Sequence, residues 1–266
     1  KGNISSQQGS LIVQKPGSVN RYYIFTSVPF DNLGNNTNAN GIYYTEIEYD
    51  FQAKTITEIA KNTVITTDKY SMEALTMVPN ANGTDLWLIS HKAGGSDEYQ
   101  IYPVTSNGVG TPVISAIGQN IPLKTSPYLY PNEIGAIKAN SCYTQLALSN
   151  LGTAKIDVVD FDNATGKVSS VFATIDGFAV NDLYSIEFSS NGNYLYAIEY
   201  QAKKIYQFDL KATDIKASKV LLGTGTIARL GQLQLAPDGK IYFTQHQWAN
   251  GGFIGVYMNQ TFLNSL

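Results

Sequence analysis

The sequence has little charge, very few histidines and a single cysteine. Of its 266 residues, 15% are charged, the net charge is −3, and there are 2 histidines and 1 cysteine. Globular proteins average about 25% charged residues, so this chain is poor in charge. A disulfide framework within the chain is excluded because Cys142 has no partner. One thiol and two imidazoles also cannot build a multi-ligand histidine or cysteine metal site.

Two further classes of protein are excluded by what the sequence lacks. A pI near 5.4 gives no cationic footprint for phosphates, so we expect no nucleic-acid partner. No stretch approaches the roughly 18 apolar residues of a membrane-spanning helix, so we expect no membrane insertion. No signal peptide opens the chain, and it begins with Lys1 rather than methionine. We therefore expect a fragment or a processed piece of a larger protein.

The residues that are abundant favour a folded β protein. The chain has 43% hydrophobic residues, 18 tyrosines and 23 glycines. This hydrophobic content is enough for a core and excludes a disordered chain. Helical periodicity is nearly absent, whereas short β-rich runs bounded by Gly, Asn, Asp and Pro dominate.

A hairpin repeats along the chain. Residues 186–199 and 233–245 both contain an alternating strand, an Asn-Gly or Asp-Gly turn and a second strand with tyrosine. Such dipeptides predict type I′ turns, in which both central residues have positive φ. Less regular copies cover residues 10–26, 75–90 and 136–149. A third strand follows each copy and a fourth can be placed in most of them.

This repeat predicts an all-β fold, a β-propeller with four-stranded antiparallel blades of the WD40/YVTN-like kind. A blade cannot bury both faces alone, and stacking blades around an axis solves this; a two-sheet sandwich would not require the repeat. We expect one propeller domain over residues 1–266, with five blades visible from a ring of six or seven. The expected blades are residues 9–66, 70–118, 132–175, 183–223 and 230–266, the last of them incomplete.

Several motifs resemble a family of bacterial surface proteins. They include GSLIVQKPGS, EALTMVPNANGTDLWLISH, YSIEFSSNGNYLYA and LQLAPDGKIYFTQ. Together they are similar to the propeller region of large Bacteroidetes (flavobacterial) cell-surface proteins that carry a type IX secretion, gliding-motility-associated C-terminal domain. The resemblance implies secretion across the outer membrane to the extracellular cell surface. It also implies the type IX machinery as a partner, through a C-terminal domain that is not in this chain.

Four polar residues are candidates for a binding site in the central channel. Aligning the hairpins places Thr76, Lys138, Glu187 and Gln234 at equivalent positions of the innermost strands. Alternation along a strand sends one set of side chains to the axis and the other between blades. The polar set therefore predicts channel-facing residues, which either bind a small ligand or ion or simply line a solvated channel.

Three more candidates are predicted on the loop face. His91 follows a strand and precedes the Gly-rich residues 93–98, so it could be a general base or an ordinary surface residue. His246 and Trp248 lie within TQHQWANGG. The Trp248 ring could form a platform for a sugar, or it could pack between blades.

No catalytic or metal-binding constellation is recognisable. A glycosidase needs two carboxylates across a cleft, and none of the acidic residues lies in a catalytic motif. Asp160 and Asp162 have the spacing of a calcium loop but lack the further ligands of an EF-hand, so we interpret them as part of a hairpin turn. We expect no catalytic residues, no metal and no cofactor, and a structural calcium ion has no motif to support it.

Three functions are compatible with these observations. The leading hypothesis is a non-enzymatic extracellular propeller, a binding or display module that recognises a protein or glycan surface ligand through Tyr- and Asn-rich loops. The second is a lactonase-like or glycan-processing propeller enzyme, with an axial metal or carboxylate cluster around Glu187. The third is a passive cargo segment recognised by the secretion apparatus.

Overall fold

The computed structural model describes residues 7–28, 41–68, 70–122, 134–225, 229–249 and 252–263, with backbone only from residue 245 onward. These residues form twenty strands in five antiparallel sheets, and they contain no helix. It follows that no helix in the described part of the chain could cross a membrane.

The strands of the first three blades follow the chain order. The first blade contains β1 (Ser10–Gln14), β2 (Arg21–Val28), β3 (Gly41–Asp50) and β4 (Thr55–Thr66). The second contains β5 (Thr76–Pro79), β6 (Leu86–His91), β7 (Ser96–Thr105), β8 (Gly108–Val109) and β9 (Val113–Ile121). The third contains β10 (Gly135–Ala139), β11 (Gln145–Asn150), β12 (Lys155–Asp162) and β13 (Lys167–Ile175).

The last two blades continue the same order. The fourth blade contains β14 (Leu183–Phe188), β15 (Tyr194–Glu199), β16 (Lys204–Asp209) and β17 (Val220–Thr224). The fifth contains β18 (Arg229–Leu235), β19 (Ile241–Ala249) and β20 (Gly252–Leu263). In the second blade β8 and β9 both pair with β7, so together they take the place of one outer strand.

The blades pack face to face through buried apolar side chains. One cluster joins the second and third blades, through Trp87 and Ile101 on one side and Leu146 and Phe161 on the other. Similar clusters join the first blade to the second, the third to the fourth, and the fourth to the fifth. The first strands β5, β10, β14 and β18 contact one another in that order. The predicted all-β propeller with four-stranded antiparallel blades is confirmed.

The prediction of type I′ turns is wrong. In the turns at Asn191-Gly192 and Asp238-Gly239 only the glycines have positive φ, of 71° and 77°. The preceding side chains explain the difference, because each one accepts a backbone N–H two residues further on. Asn191 Oδ1 accepts the N–H of Asn193 at 3.0 Å, and Asp238 Oδ1 accepts the N–H of Lys240 at 3.1 Å. Asn191 and Asp238 thus form Asx turns, and the glycine that follows each of them takes the left-handed φ.

A glycine at the start of the third blade is expected to be essential for packing. A Cβ on Gly135 would lie 2.1 Å from the Ser149 carbonyl oxygen and 2.6 Å from Met72 Cε. We expect Gly135→Ala to lower the free energy of unfolding by about 1–3 kcal/mol, the usual cost of overpacking. Gly223→Ala is the control, because Gly223 also lies in a strand but has nothing within 4 Å of its Cβ position. Urea unfolding followed by circular dichroism checks this, and equal midpoints for the two variants would contradict it.

Candidate functional site

The turns after the first strands fix which residues are equivalent between blades. Each turn is closed by a backbone hydrogen bond, donated by the N–H of Lys15, Asn80, Asn140, Ser189 or Ala236. Two positions earlier in each blade lie Val13, Val78, Lys138, Glu187 and Gln234. We call these five residues the inner ring, and the turn side of the blades the hairpin end.

The structure changes the alignment of Thr76. It lies two residues before Val78, so its equivalents are Ala136, Ser185 and Gln232 rather than Lys138. Pro79 is not part of the turn, because it is the last residue of β5 and pairs with Leu86. The inner-ring position of the second blade is therefore the fully buried Val78.

The other three predicted channel residues do meet. Lys138 Nζ lies 2.9 Å from Glu187 Oε2 and donates to Gln234 Oε1 at 3.1 Å and to the Leu233 carbonyl at 3.3 Å. We call Lys138, Glu187 and Gln234 the axial cluster. Glu187 also accepts two backbone N–H groups, from Phe188 on Oε1 and from Leu235 on Oε2, each at 3.0 Å.

The charged pair of the axial cluster is almost completely buried. The side chains of Lys138 and Glu187 are 8% and 5% exposed. A buried charge is costly unless it is paired and hydrogen-bonded, and here both conditions are met. Gln234 is exposed, so the cluster opens to solvent on its side.

Glu187 is surrounded by a cation and backbone donors. Among the described residues its polar contacts are Lys138, Phe188 and Leu235, so the expected carboxylate or metal cluster is not found there. Within the part of the chain that the structure describes, no group of three His, Cys, Asp or Glu side chains could hold a metal ion. The chemistry available at this point is therefore that of an ammonium–carboxylate pair.

An open cleft borders the inner ring at the first and second blades. Val13 and Val78 line a cleft of about 520 Å³ between the first and second blades. Met77 and Leu86 extend its apolar wall, and Lys15 is among its polar lining residues. Small-molecule sites commonly measure about 300–1,000 Å³ and are mostly apolar with a few polar groups. The inner ring thus combines an apolar half with a cleft and a polar half with a charged pair.

The opposite end of the inner strands is occupied by the chain itself. The backbone N–H of Gln7 donates to Glu73 Oε2 at 2.7 Å, and its side-chain amide donates to the Tyr184 carbonyl. Gln8 exchanges two hydrogen bonds with the backbone of Ile137, of 3.0 and 3.2 Å. Residues 7 and 8 therefore reach from the first blade to the third and fourth, which leaves the hairpin end as the open side of the axial cluster.

His91 is neither a surface loop residue nor placed to act as a base. It is the last residue of β6, it is fully buried, and its ring packs edge-on against Tyr99 with 4.6 Å between centroids. Burial lowers the pKa of His91 to about 3, so the ring is neutral at pH 7. Neither ring nitrogen has a hydrogen-bond partner among the residues described. A substrate in solvent cannot reach this side chain.

The remaining candidates lie in a strand rather than a loop. Both residues lie in β19. The backbone of His246 pairs with Arg229 of β18 and Val256 of β20, and that of Trp248 pairs with Phe253 of β20. Their side chains lie outside the described residues. The hairpin interpretation of Asp162 agrees with its contacts, since Oδ1 accepts the Ala164 N–H at 2.9 Å and Oδ2 the Thr165 hydroxyl at 2.6 Å.

Comparisons with known proteins find similarity in structure but not in sequence. No family model matches the chain, and no curated protein matches it. A protein from Bacteroides fragilis assigned as a 6-phosphogluconolactonase superposes with a TM-score of 0.54 at 13% identity, covering 94% of this chain and 70% of that one. The periplasmic gluconolactonase of Pseudomonas aeruginosa gives a TM-score of 0.52 at 12% identity, with coverages of 96% and 72%. A family 43 β-1,3-galactosidase gives 0.52 at 9% identity, with coverages of 96% and 94%.

At these identities the likeness shows the fold alone. It nevertheless corrects our leading hypothesis on function. The similar propellers are mostly named as lactonases and other enzymes, which contradicts the interpretation of the chain as a non-enzymatic binding and display module. The alternative of a propeller enzyme is the better supported of the two.

Proposed function

We propose that the protein is a hydrolase of the lactonase type that opens a cyclic ester at the axial cluster. The observation that carries this proposal is the buried Lys138–Glu187 pair, whose ammonium also holds the exposed Gln234 side chain at 3.1 Å. The pair places a hydrogen-bond donor beside a carboxylate at the open end of the inner ring. Donor and base are the two groups that ester hydrolysis requires.

Gln234 supports the placement of the substrate. Its carbonyl oxygen accepts a hydrogen bond from Lys138, as the carbonyl oxygen of a lactone would. Gln234 is exposed, so its side chain can turn into solvent by giving up its hydrogen bonds to Lys138 and to the Leu235 carbonyl, which releases one N–H of Lys138. The lactone carbonyl then takes the place of the Gln234 carbonyl, with the lactone ring directed toward the hairpin end.

Hydrolysis would then proceed in two steps, the attack of water and the collapse of the oxyanion. Glu187 takes a proton from water through Oε1, which otherwise accepts the Phe188 N–H, as the water oxygen bonds to the carbonyl carbon. Lys138 stabilises the oxyanion that forms. The ring C–O bond breaks when the oxyanion collapses, and the proton held by Glu187 passes to the leaving alkoxide. The product is a hydroxy acid.

The contacts of Glu187 favour an ester over a glycoside as the substrate. Glycoside hydrolysis uses two carboxylates on opposite sides of the scissile bond. Glu187 instead has an ammonium group as its charged partner, at 2.9 Å. An ammonium group stabilises a developing oxyanion but does not serve as the second carboxylate.

A direct assay tests the proposal. Proton release at pH 7 is followed with glucono-1,5-lactone and with δ-valerolactone, each corrected for spontaneous hydrolysis. We expect protein-dependent opening of at least one lactone, with no cleavage of 4-nitrophenyl β-galactoside. Cleavage of the galactoside alone, or no reaction with either lactone, would refute lactone hydrolysis.

Export to the cell surface is a separate proposal. It is supported by the resemblance of motifs such as YSIEFSSNGNYLYA to type IX-secreted surface proteins. Protease treatment of intact cells of the native host checks it, since a surface protein is digested whereas an internal one is protected.

A further inference from the structure

A second cleft lies away from the axial cluster, between the outer strands of the second and third blades. Its volume is about 490 Å³. It is lined by residues of β9, β12 and β13 and of the turn before β12: Gly118, Gln119, Asn120, Thr153, Lys155, Asp157, Val171 and Thr174. No described contact connects this cleft to Lys138 or Glu187, so its ligand would be distinct from the lactone.

A buried carboxylate forms part of this cleft. Asp157 is 2% exposed, and its Oδ1 accepts the Thr174 hydroxyl at 2.7 Å. Its Oδ2 has no hydrogen-bond partner, and no cation forms an ion pair with it, among the residues that the structure describes. A buried carboxylate is normally paired with a positive charge.

Gly118 leaves room beside the free oxygen. Its φ is +89°, and a Cβ at this position would lie 2.9 Å from Asp157 Oδ2. A residue with a side chain here would be strained and would press on the carboxylate. The glycine therefore keeps Oδ2 accessible from the side of β9.

The hydroxyl hydrogens of the two threonines that line the cleft are already used within the protein. Thr174 donates its only hydroxyl hydrogen to Asp157, and Thr153 donates its own to Gln119 Oε1 at 2.6 Å. The Gln119 amide donates to the Leu148 carbonyl at 3.1 Å, and the Asn120 amide to the Gly95 carbonyl at 2.9 Å. The hydroxyls keep only oxygen lone pairs, so they can offer acceptors but no donors to a ligand.

We propose that this cleft binds a primary ammonium group carried on an alkyl chain. An ammonium group has three donors, which match Asp157 Oδ2 and the two hydroxyl oxygens. It also supplies the positive charge that Asp157 lacks. The cleft is far larger than a metal ion, and Val171, 40% exposed, offers an apolar surface to the alkyl chain.

Lys155 is the competing cation within the chain. It lies two residues before Asp157 on β12, so both side chains leave the same face of the strand. Lys155 is exposed and forms no ion pair with Asp157 in the described part of the chain. Removing its charge is expected to strengthen the binding of an external ammonium group.

Calorimetric titration with butylammonium chloride at pH 7 and constant ionic strength tests the proposal. Nα-acetyl-lysine methylamide distinguishes a lysine side chain from a free amine as the source of the group. We expect saturable binding to the wild-type protein, and binding at least about tenfold weaker in Asp157→Asn, because hydrogen bonds to charged groups are strong. Lys155→Met should bind more tightly, and Asp209→Asn, a carboxylate change on the fourth blade, should leave binding unchanged.

The other outcomes overturn the proposal. Tetramethylammonium has charge but no donor, so equal binding of this ion would show that hydrogen bonds from the ligand are not used. Binding of calcium chloride with no binding of butylammonium would make the cleft a metal site. Binding that appears only in Lys155→Met would show that Lys155 itself fills the cleft. Unfolding curves of Asp157→Asn establish that a loss of binding is not a loss of fold.

Discussion

Replacing Glu187 by glutamine is expected to lower kcat/KM for lactone hydrolysis by about 10²–10⁴-fold, the usual contribution of general acid–base catalysis. Glutamine has nearly the same shape and can still accept the Leu235 N–H, which is 3.0 Å from Glu187 Oε2. It cannot take a proton from water at pH 7. The rate of lactone opening by purified Glu187→Gln, relative to the wild-type protein, checks this expectation.

Glu187→Gln also removes the negative charge next to the buried Lys138, so a control for stability is needed. Glu46→Gln provides it, because Glu46 is another buried glutamate that holds a lysine, Lys15, at 3.0 Å. Removing one charge of a buried ion pair lowers the free energy of unfolding by about 3–5 kcal/mol. Both variants should lose stability, and only Glu187→Gln should lose activity at a temperature where both remain folded.

The double variant Lys138→Met/Glu187→Leu separates catalysis from folding. Without either charge, no uncompensated buried charge remains, so its stability should return toward that of the wild-type protein. Its activity should stay as low as that of Glu187→Gln. Recovery of activity together with stability would mean that the pair only joins the third and fourth blades, and the axial cluster would not be the active site.

Acid is expected to destabilise the fold through His91. The pKa of His91 is lowered by burial from 6.5 to about 3 in the folded protein. Between these values the unfolded chain binds a proton that the folded chain does not, so the free energy of unfolding falls as the pH falls. The slope is about 1.4 kcal/mol per pH unit, and the full loss approaches about 5 kcal/mol.

His91→Phe isolates this effect. Phenylalanine keeps the edge-on ring contact with Tyr99 and removes two nitrogens that lack a partner among the described residues. Urea unfolding at pH 6.5, 5.5 and 4.5 should show a smaller pH slope for the variant than for the wild-type protein. Lowered pKa values of carboxyls such as Asp162 and Asp176 act mainly below 3.8, under the lowest pH of this series. Burial raises the pKa of Asp182, but both proteins carry this group, so it cancels in the comparison of slopes. Parallel slopes would show that His91 is not the acid-sensitive group.

Much of the fold could be predicted from local sequence. Alternating apolar residues and Gly-containing turns mark strands one at a time, and the hairpin of residues 186–199 became β14 and β15. The turn type could not be predicted from the Asn-Gly pair alone, because the Asn191 side chain bonds the backbone two residues further on. Dipeptide statistics do not include that competing contact.

The candidate site could be predicted only in part. Lys138, Glu187 and Gln234 were selected by their equivalent places in the repeat, and they lie together. Thr76 was placed two residues out of register, since the turn of the second blade is closed by Asn80 and Val78 is therefore the equivalent of Lys138 and Glu187. The burial of His91 follows from Tyr99 on the neighbouring strand, which no local pattern around residue 91 contains.

The sequence by itself determined the repeat, the strands and three residues of the inner ring, Lys138, Glu187 and Gln234, because each depends on neighbours within one hairpin. Only the tertiary structure decided that Lys138 meets Glu187 as a buried ion pair and that Asp157 has an oxygen free in a cleft. The ion pair joins the third and fourth blades, and the cleft lies between the second and third, so both depend on how the blades stack. Both features follow from the cost of burying a charge, which is high unless the charge is paired and hydrogen-bonded.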